Sequence, residues 1–190
     1  VTRKEYSMPR MSEITQREQV AEAERSHFDS IIASRGTIGA PYQYLLHTPD
    51  LAARVAHTIG YARFEAGLDK QVLELAICSV ARELDCVYEW AAHEDAAREA
   101  GVREQAIESI KAGTAPDDLT PDEAVVVQYV HELLHSPHRA STATFGELHR
   151  RLGDRDMAEL TAIVGGYVML ACCLNAFDVG APAGRPVLPT

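Results

Sequence analysis

The sequence lacks the surplus of basic residues that a nucleic-acid-binding protein needs. Its 18 Lys and Arg stand against 28 Asp and Glu, a formal net charge of −10 over 190 residues. Because a phosphate-rich surface repels such a charge, we expect neither nucleic acid nor a membrane as a partner. Residues 1–10 contain no apolar run and no cleavage signature, so we expect no signal peptide and a cytoplasmic location.

Cysteine is too scarce, and too poorly spaced, for a secreted disulfide framework. There are four cysteines, and Cys172 and Cys173 are adjacent. The sequence has no Gly-rich phosphate loop and no serine nucleophile elbow, so nucleotide binding and esterase chemistry find no support. It also shows no strand pattern of consequence.

Helical signals are abundant. Apolar residues make up 46% of the chain, and many recur in alanine-rich segments at helical spacing. An all-α fold follows from this periodicity together with start signals such as Thr120-Pro121-Asp122-Glu123 and stop signals such as Gly36 and Gly101. The predicted helices cover residues 15–36, 48–65, 69–84, 85–101, 103–111, 120–134, 143–152 and 156–177.

The same signals divide the chain into three parts. Residues 1–38 are predicted to be an N-terminal arm and an amphipathic helix, residues 39–180 the main domain, and residues 181–190 a loose tail. The run from Ala162 to Leu174 is apolar nearly all round, but it is short for a membrane span and contains Gly165-Gly166. We therefore expect its helix to be the buried centre of a bundle.

The stretch from Glu74 to His93 places reactive side chains where core residues belong. With Asp85 as the predicted N-cap, Cys86, Glu89 and His93 share a face of one helix with Trp90, and Glu74 lies on the apolar face of the helix before it. A buried carboxylate is costly unless it is paired, so Glu74 is expected to pair with His93 as an acid/base couple. The helix N-terminus would favour a thiolate at Cys86.

The pattern Glu74-x11-Cys86-x2-Glu89-x3-His93, with Tyr88-Glu89-Trp90 inside it, resembles the carboxymuconolactone decarboxylase family, which includes the alkylhydroperoxidase D proteins. The similarity runs from about Pro41 to Val179. It implies an all-α, alkylhydroperoxidase D-like helical bundle that forms a homo-oligomer, usually a trimer or hexamer, with the site near subunit contacts. The peroxidase branch carries Cys-x-x-Cys followed by His. Here Glu89 takes the second cysteine position, so the motif's internal disulfide cannot form.

The resemblance implies a cofactor-free acid/base enzyme that acts on a small carboxylated lactone or keto acid. His93 would transfer the proton, and Glu74 would set the orientation and charge of His93. Glu89 would share the proton relay or polarise a water molecule, while Cys86 and Trp90 would shape the pocket. One alternative is a one-cysteine thiol peroxidase that uses Cys86 and an external thiol. Another is a non-catalytic oligomeric partner or redox sensor. Candidate substrate-binding residues are Trp90, Tyr88, Tyr42 and Arg82. The alternative role for Trp90 and Tyr42 is core packing, and the alternative role for Arg82 is a salt bridge to a neighbouring acidic residue.

A second motif, His131-Glu132-Leu133-Leu134-His135, has the His-Glu-x-x-His spacing of zinc metalloproteases. Glu159 is a nominal third ligand. Because Pro137 must end this helix almost at once, we interpret His131 and His135 as surface or helix-end residues. The sequence therefore predicts no bound metal.

Overall fold

The computed structural model describes residues 9–113, 118–185 and 187–189, and the regular elements within these ranges are helical. The predicted all-α class is confirmed. In chain order the α-helices are α1 (Arg25–Arg35), α2 (Ala40–Leu45), α3 (Pro49–Gly60), α4 (Lys70–Glu83), α5 (Val87–Glu99), α6 (Glu104–Ala112), α7 (Pro121–Leu134) and α8 (Thr142–Ala176). A π-helical turn, Tyr61–Glu65, extends α3.

Most predicted helix ends coincide with the observed ones because they rest on local hydrogen bonds. The Asp69 carboxylate accepts from two backbone amides of the first turn of α4. At α7 the Thr120 hydroxyl accepts from the amide of Glu123, whose carboxylate accepts from the amide of Thr120. Gly36, with φ of 75°, ends α1 in the left-handed conformation that glycine adopts at no steric cost.

The helix predicted from Thr15 to Gly36 is wrong in its first half. Residues 17–19 and 22–24 form two separate 3-10 turns, the capping residue is Gln16 rather than Thr15, and α1 begins at Arg25. The cause is packing: between residues 15 and 24 only Val20 is buried. A segment without an apolar stripe has no tertiary contacts to stabilise it as a helix.

The start of α5 also differs from the prediction. Asp85 adopts φ of 47°, and Cys86, not Asp85, is the N-cap residue. Arg82 forms an ion pair with the Asp85 side chain, which is thereby held toward the preceding helix instead of capping the next one. Cys86 consequently stands just before the first turn of α5.

The last two predicted helices form one run, α8, interrupted at Gly153, where φ is 72° and ψ is 178°. The predicted burial of its C-terminal part holds for one face of the helix only. Ile163, Tyr167 and Leu170 are buried, whereas Ala162 and Met169 are exposed. By length and composition alone, α8 could cross a membrane. Core helices of soluble proteins often meet the same criteria, and half of the most apolar stretch of α8 is buried.

The chain divides into two compact units. The first comprises residues up to Ala66 together with Cys172–Gly180, and in it α1 packs against α3. The Tyr44 hydroxyl donates to Glu13, and the Tyr44 ring lies 5.8 Å from that of Phe177. Positions 1–8 of the predicted arm lie outside the described residues.

The second unit comprises Gly67–Ala171 and the segment from Ala181 onward, and its centre is α4. Helices α5, α6 and α7 all pack against α4, and every α4 residue from Leu73 to Ala81 is buried. In the tail, Leu188 is buried and Arg185 donates to Asp95 at 2.7 Å. The side chains of the predicted active site are carried by α4 and α5 within this unit.

Candidate active site

The contact between α4 and α5 brings Glu74 and His93 together. Nδ1 of His93 lies 2.6 Å from Oε2 of Glu74, and the two residues are 3% and 6% exposed. Each side chain sits on the apolar face of its own helix, and these faces meet when the helices pack. The predicted pairing is confirmed, while a catalytic role for the pair stays a prediction.

The other ring nitrogen of His93 faces two further polar groups. Nε2 lies 3.2 Å from the Tyr167 hydroxyl on α8 and 3.6 Å from Oε2 of Glu89, which stands one turn earlier on α5. The Tyr167 ring also meets the imidazole edge-on, with centroids 5.1 Å apart. Tyr167 and Glu89 are both buried, so this end of the imidazole is also shielded from bulk water.

These neighbours define how His93 can hold protons. An ionised Glu74 can only accept a hydrogen bond, which assigns a proton to Nδ1. When Nε2 is bare, the Tyr167 hydroxyl donates to it, and when Nε2 is protonated, the Glu89 carboxylate attracts it. Both protonation states of Nε2 therefore have a partner within 3.6 Å, as a group that cycles between acid and base requires.

The two buried cysteines of this unit occupy different settings. Cys86 is 1% exposed at the N-cap of α5, where the backbone dipoles favour negative charge. Cys78 lies in the middle of α4, where burial, followed by the negative charges of Glu74 and Glu94, raises the pKa of its thiol well above the ordinary value. Cys78 is thus a packing residue at neutral pH, whereas Cys86, equally buried, has the N-terminus of α5 beside it to favour a thiolate.

Trp90 makes a buried polar contact that the sequence did not reveal. Its indole nitrogen donates to Oε2 of Glu94 at 2.5 Å, and the other carboxylate oxygen accepts from Arg98 at 2.6 Å and Lys111 at 3.1 Å. Glu94 is 1% exposed, so these cations neutralise a charge taken out of water. The arrangement favours core packing as the role of Trp90, and substrate binding by this residue stays a prediction.

The remaining predicted substrate-binding residues occupy three places. Tyr88 is half-buried on α5. Tyr42 belongs to the first unit, where it is buried with the Arg35 guanidinium 4.3 Å from its ring centroid. Arg82 lines a cavity of the second unit whose described lining residues include neither Glu74 nor His93. The structure thus gathers Glu74, Glu89 and His93 and gives Arg82 a different setting.

That cavity has a volume of about 820 Å³ and includes both histidines of the His-Glu-x-x-His motif. They are not arranged as in a metalloprotease. Glu132 accepts from the Ser141 amide at 2.6 Å and from Thr144 at 2.8 Å. Glu159 accepts from the amides of Gly67 and Leu68. These contacts hold Glu132 away from the role of a catalytic base and Glu159 away from the role of a third metal ligand.

The histidines instead flank Glu83, a residue of α4. His131 Nδ1 lies 2.8 Å from Oε1 of Glu83, and His135 Nε2 lies 2.7 Å from Oε2. Burial raises the pKa of Glu83, but the hydrogen bonds from His135 and His131 outweigh it and leave that pKa below the ordinary value. As expected, both histidines are exposed, and His135 is the C-cap of α7.

Sequence reasoning missed three residues that the structure makes important: Tyr167, Glu94 and Glu83. Tyr167 carried a usable signal, because it is the only hydroxyl-bearing residue in the apolar run from Ala162 to Leu174. Glu83 and Glu94 sit among other charged residues, and nothing in the sequence distinguishes them from a solvated face.

Residues 49–132, just under half of the chain, match the family model "Carboxymuconolactone decarboxylase family". The resemblance to this family is confirmed. The family region contains Glu74, Cys86, Glu89 and His93, whereas Tyr167 lies beyond it. No curated protein matches the chain.

Solved structures share the alkylhydroperoxidase D-like fold. The alkylhydroperoxidase AhpD core of an uncharacterized peroxidase-related protein from Ralstonia eutropha JMP134 gives a TM-score of 0.73 at 16% identity, over 93% of this chain and 94% of that chain. The debrominase Bmp8 gives 0.71 at 17% identity in its apo form, over 93% and 95% of the two chains. Its cysteine-to-alanine variant in complex with 2,3,4-tribromopyrrole gives 0.70 at 16% identity with the same coverage. At such identities the likeness shows the fold alone.

Proposed function

We propose that this protein is a cofactor-free acid/base enzyme that decarboxylates a small carboxylated lactone or keto acid. The observation that carries the proposal is the buried imidazole of His93, held at Nδ1 by Glu74 and met at Nε2 by Tyr167 and Glu89. In this assignment His93 is the proton-transfer residue, and Glu74 fixes its tautomer and orientation.

The reaction needs one proton at one carbon. When the C–C bond to the carboxylate breaks, CO2 leaves and the electron pair remains on the substrate as an enolate-like carbanion. A protonated Nε2 of His93 delivers the proton that forms the new C–H bond, and the ring takes up another proton before the next turnover. Glu89 attracts Nε2 before the transfer, and the Tyr167 hydroxyl donates to it afterwards.

Assays of the purified protein with a panel of carboxylated lactones and β-keto acids test this proposal. We expect CO2 release from at least one member, reduced about a hundredfold or more in His93→Ala. His149→Ala is the matched control, because His149 is an exposed histidine paired with Asp154 on α8. CO2 release that survives in His93→Ala would contradict the assignment.

A second candidate is thiol chemistry at Cys86, favoured by its place at the N-cap of α5. A thiolate there would attack the terminal oxygen of a hydroperoxide and break the O–O bond, and the alkoxide would leave as an alcohol by taking up the proton that the thiol had lost. The resulting sulfenic acid would be returned to the thiol by two equivalents of an external thiol, which becomes a disulfide. The fold neighbours include a peroxidase-related protein and a debrominase.

The proposal also covers the partners, the assembly and the location of the protein. The substrate is a small molecule, the protein works without nucleic acid or membrane, and it assembles as a homo-oligomer, a trimer or hexamer, in the cytoplasm. The exposed apolar residues of α8, such as Met169 at 39% exposure, support the assembly, because a partner subunit would cover them.

A further inference from the structure

Three potential metal ligands converge at one edge of the 820 Å³ cavity. His131 Nδ1 and His135 Nε2 come from the last turn and the C-cap of α7, and Glu83 comes from the last turn of α4. One donor atom from each lies within 4.8 Å of the other two. The imidazole rings are stacked with centroids 4.2 Å apart, and each presents a nitrogen to the Glu83 carboxylate.

We propose that Glu83, His131 and His135 form a binding site for a divalent zinc-class ion. The sequence predicts no metal because the motif alone supplies two histidines and no usable third ligand. Packing of α4 against α7 supplies that ligand, so the proposal replaces the expectation from sequence.

The donor set matches the chemistry of such ions. Two imidazoles and one carboxylate are a set that three-ligand zinc sites use, and imidazole also suits neighbouring transition metals. In a tetrahedral site with bonds of about 2.0–2.1 Å, donor atoms stand roughly 3.3 Å apart. The observed separations of 2.7 and 2.8 Å to Glu83 are shorter, and a small rotation of the half-exposed imidazoles accommodates the difference.

Hydrogen bonding alone accounts less well for this arrangement. A pair of exposed histidines gains little from sharing a carboxylate in water, and ordering two rings on one carboxylate has an entropic cost. The His131 and His135 side chains are 49% and 52% exposed, which gives an ion a path from solvent.

The site leaves positions for further ligands. Three protein ligands leave at least one position of a four-coordinate ion for water or for a donor atom of a small molecule in the cavity. The carboxylate of Glu132, the glutamate of the motif, accepts hydrogen bonds from Ser141 and Thr144 and is therefore not placed to act as the base of a peptidase. The proposal is therefore a binding site and does not include peptide hydrolysis.

Calorimetric titration with zinc sulfate tests the proposal, using the 190-residue chain purified without a histidine tag and stripped with chelator. We expect one equivalent of zinc per chain. Affinity should fall by at least about tenfold in His131→Ala, His135→Ala and Glu83→Gln. Visible absorption of the Co²⁺-loaded protein gives a second readout, because its ligand-field bands should change in each variant.

The matched control is His149→Ala, which removes an exposed histidine whose Nε2 lies 2.6 Å from Asp154. This histidine–carboxylate pair offers two donors instead of three, so its loss should leave zinc affinity unchanged. Circular dichroism establishes that each variant is folded, and Glu83→Gln preserves the size of the side chain. Substoichiometric binding by the wild type, or affinity within threefold of wild type in His131→Ala or Glu83→Gln, overturns the proposal.

Discussion

Nδ1 of His93 lies 2.6 Å from Oε2 of Glu74, although 19 positions separate the two residues and water is excluded from both. The attraction between two buried charges seldom exceeds the cost of removing them from water. Stability is therefore a weak reason for placing this pair between α4 and α5. A buried carboxylate that orients an imidazole is, by contrast, a recurrent device for proton transfer.

The first prediction concerns Glu74→Gln. The amide keeps the size of the side chain but removes the negative charge that stabilises a protonated His93, so kcat should fall by about a hundredfold or more. Steady-state kinetics on the best substrate measure the loss, and ¹⁵N spectra of the imidazole should report an altered tautomer balance. Glu99→Gln, an exposed change on α5, is the control. A kcat within threefold of wild type would show that Glu74 does not govern His93.

The second prediction concerns Tyr167→Phe. The variant keeps the ring that meets His93 edge-on and removes the hydroxyl 3.2 Å from Nε2. A neutral hydrogen bond contributes about 0.5–1.5 kcal/mol, so kcat should fall roughly two- to tenfold. The control is Tyr129→Phe, which removes a hydroxyl that contacts Thr161 at 2.8 Å and should alter stability but not kcat. Equal activity losses in both variants would point to a general structural effect.

Several features were predictable because they depend on short-range rules. Glu74 and His93 both interrupt apolar helical faces, and burying both faces in one interface brings the two side chains together. The caps at Asp69 and Thr120 were equally readable, because a cap satisfies backbone donors within four residues.

Other features depended on contacts that sequence spacing does not encode. Tyr167 reaches His93 from 74 positions away, and only the packing of α8 brings it there. Glu83 reaches His131 and His135 for the same reason, through the contact of α4 with α7. The start of α5 was misplaced because Asp85 pairs with Arg82 in a positive-φ conformation, which no local propensity predicted.

The third prediction concerns pH and the start of α7. Partial burial raises the pKa of Glu123, but hydrogen bonds from Arg103 and Thr120 outweigh it and hold that pKa below the ordinary value. A depressed carboxyl pKa stabilises the folded state above the ordinary glutamate value of about 4.3, and this stabilisation is lost as the pH falls through the folded-state pKa.

Glu123→Gln should therefore lower the free energy of unfolding by about 1 kcal/mol at pH 7 and by much less near pH 3. Urea unfolding at the two pH values measures the difference. The same change at Glu108, whose carboxylate lies 3.8 Å from Lys111, is the control and should stay within about 0.5 kcal/mol. An equal loss at both pH values in Glu123→Gln would contradict a role for its charge.

The fourth prediction is that the chain is an obligate oligomer. Ala162 and Met169 form part of an exposed apolar face of α8 that one 20.8 kDa chain leaves uncovered. Light scattering at micromolar concentration should give a mass several times that of the chain, and Met169→Asp should weaken the assembly. The control is His149→Asp, an exposed change on the same helix. A stable monomer in the wild type would remove this prediction.

The fifth prediction separates the two candidate functions at Cys86. The N-terminus of α5 favours a thiolate there by roughly 0.3–1 kcal/mol, and the buried carboxylate of Glu89 one turn later opposes it by a comparable amount. Glu89 also cannot resolve a sulfenic acid, as a second cysteine would. Cys86 should therefore be a modest nucleophile, and Cys86→Ser should retain most of the decarboxylase activity that His93→Ala loses.

The experiment measures CO2 release and hydroperoxide consumption on the same preparations of wild type, Cys86→Ser and His93→Ala. Dimedone labelling followed by mass spectrometry identifies any sulfenic acid. The control is Cys172→Ser, because Cys172 is an exposed cysteine and Cys86 is buried. If Cys86→Ser abolishes turnover and the wild type carries a trapped sulfenic acid at Cys86, the thiol peroxidase is the function, because acid/base catalysis by His93 does not require that sulfur to change oxidation state.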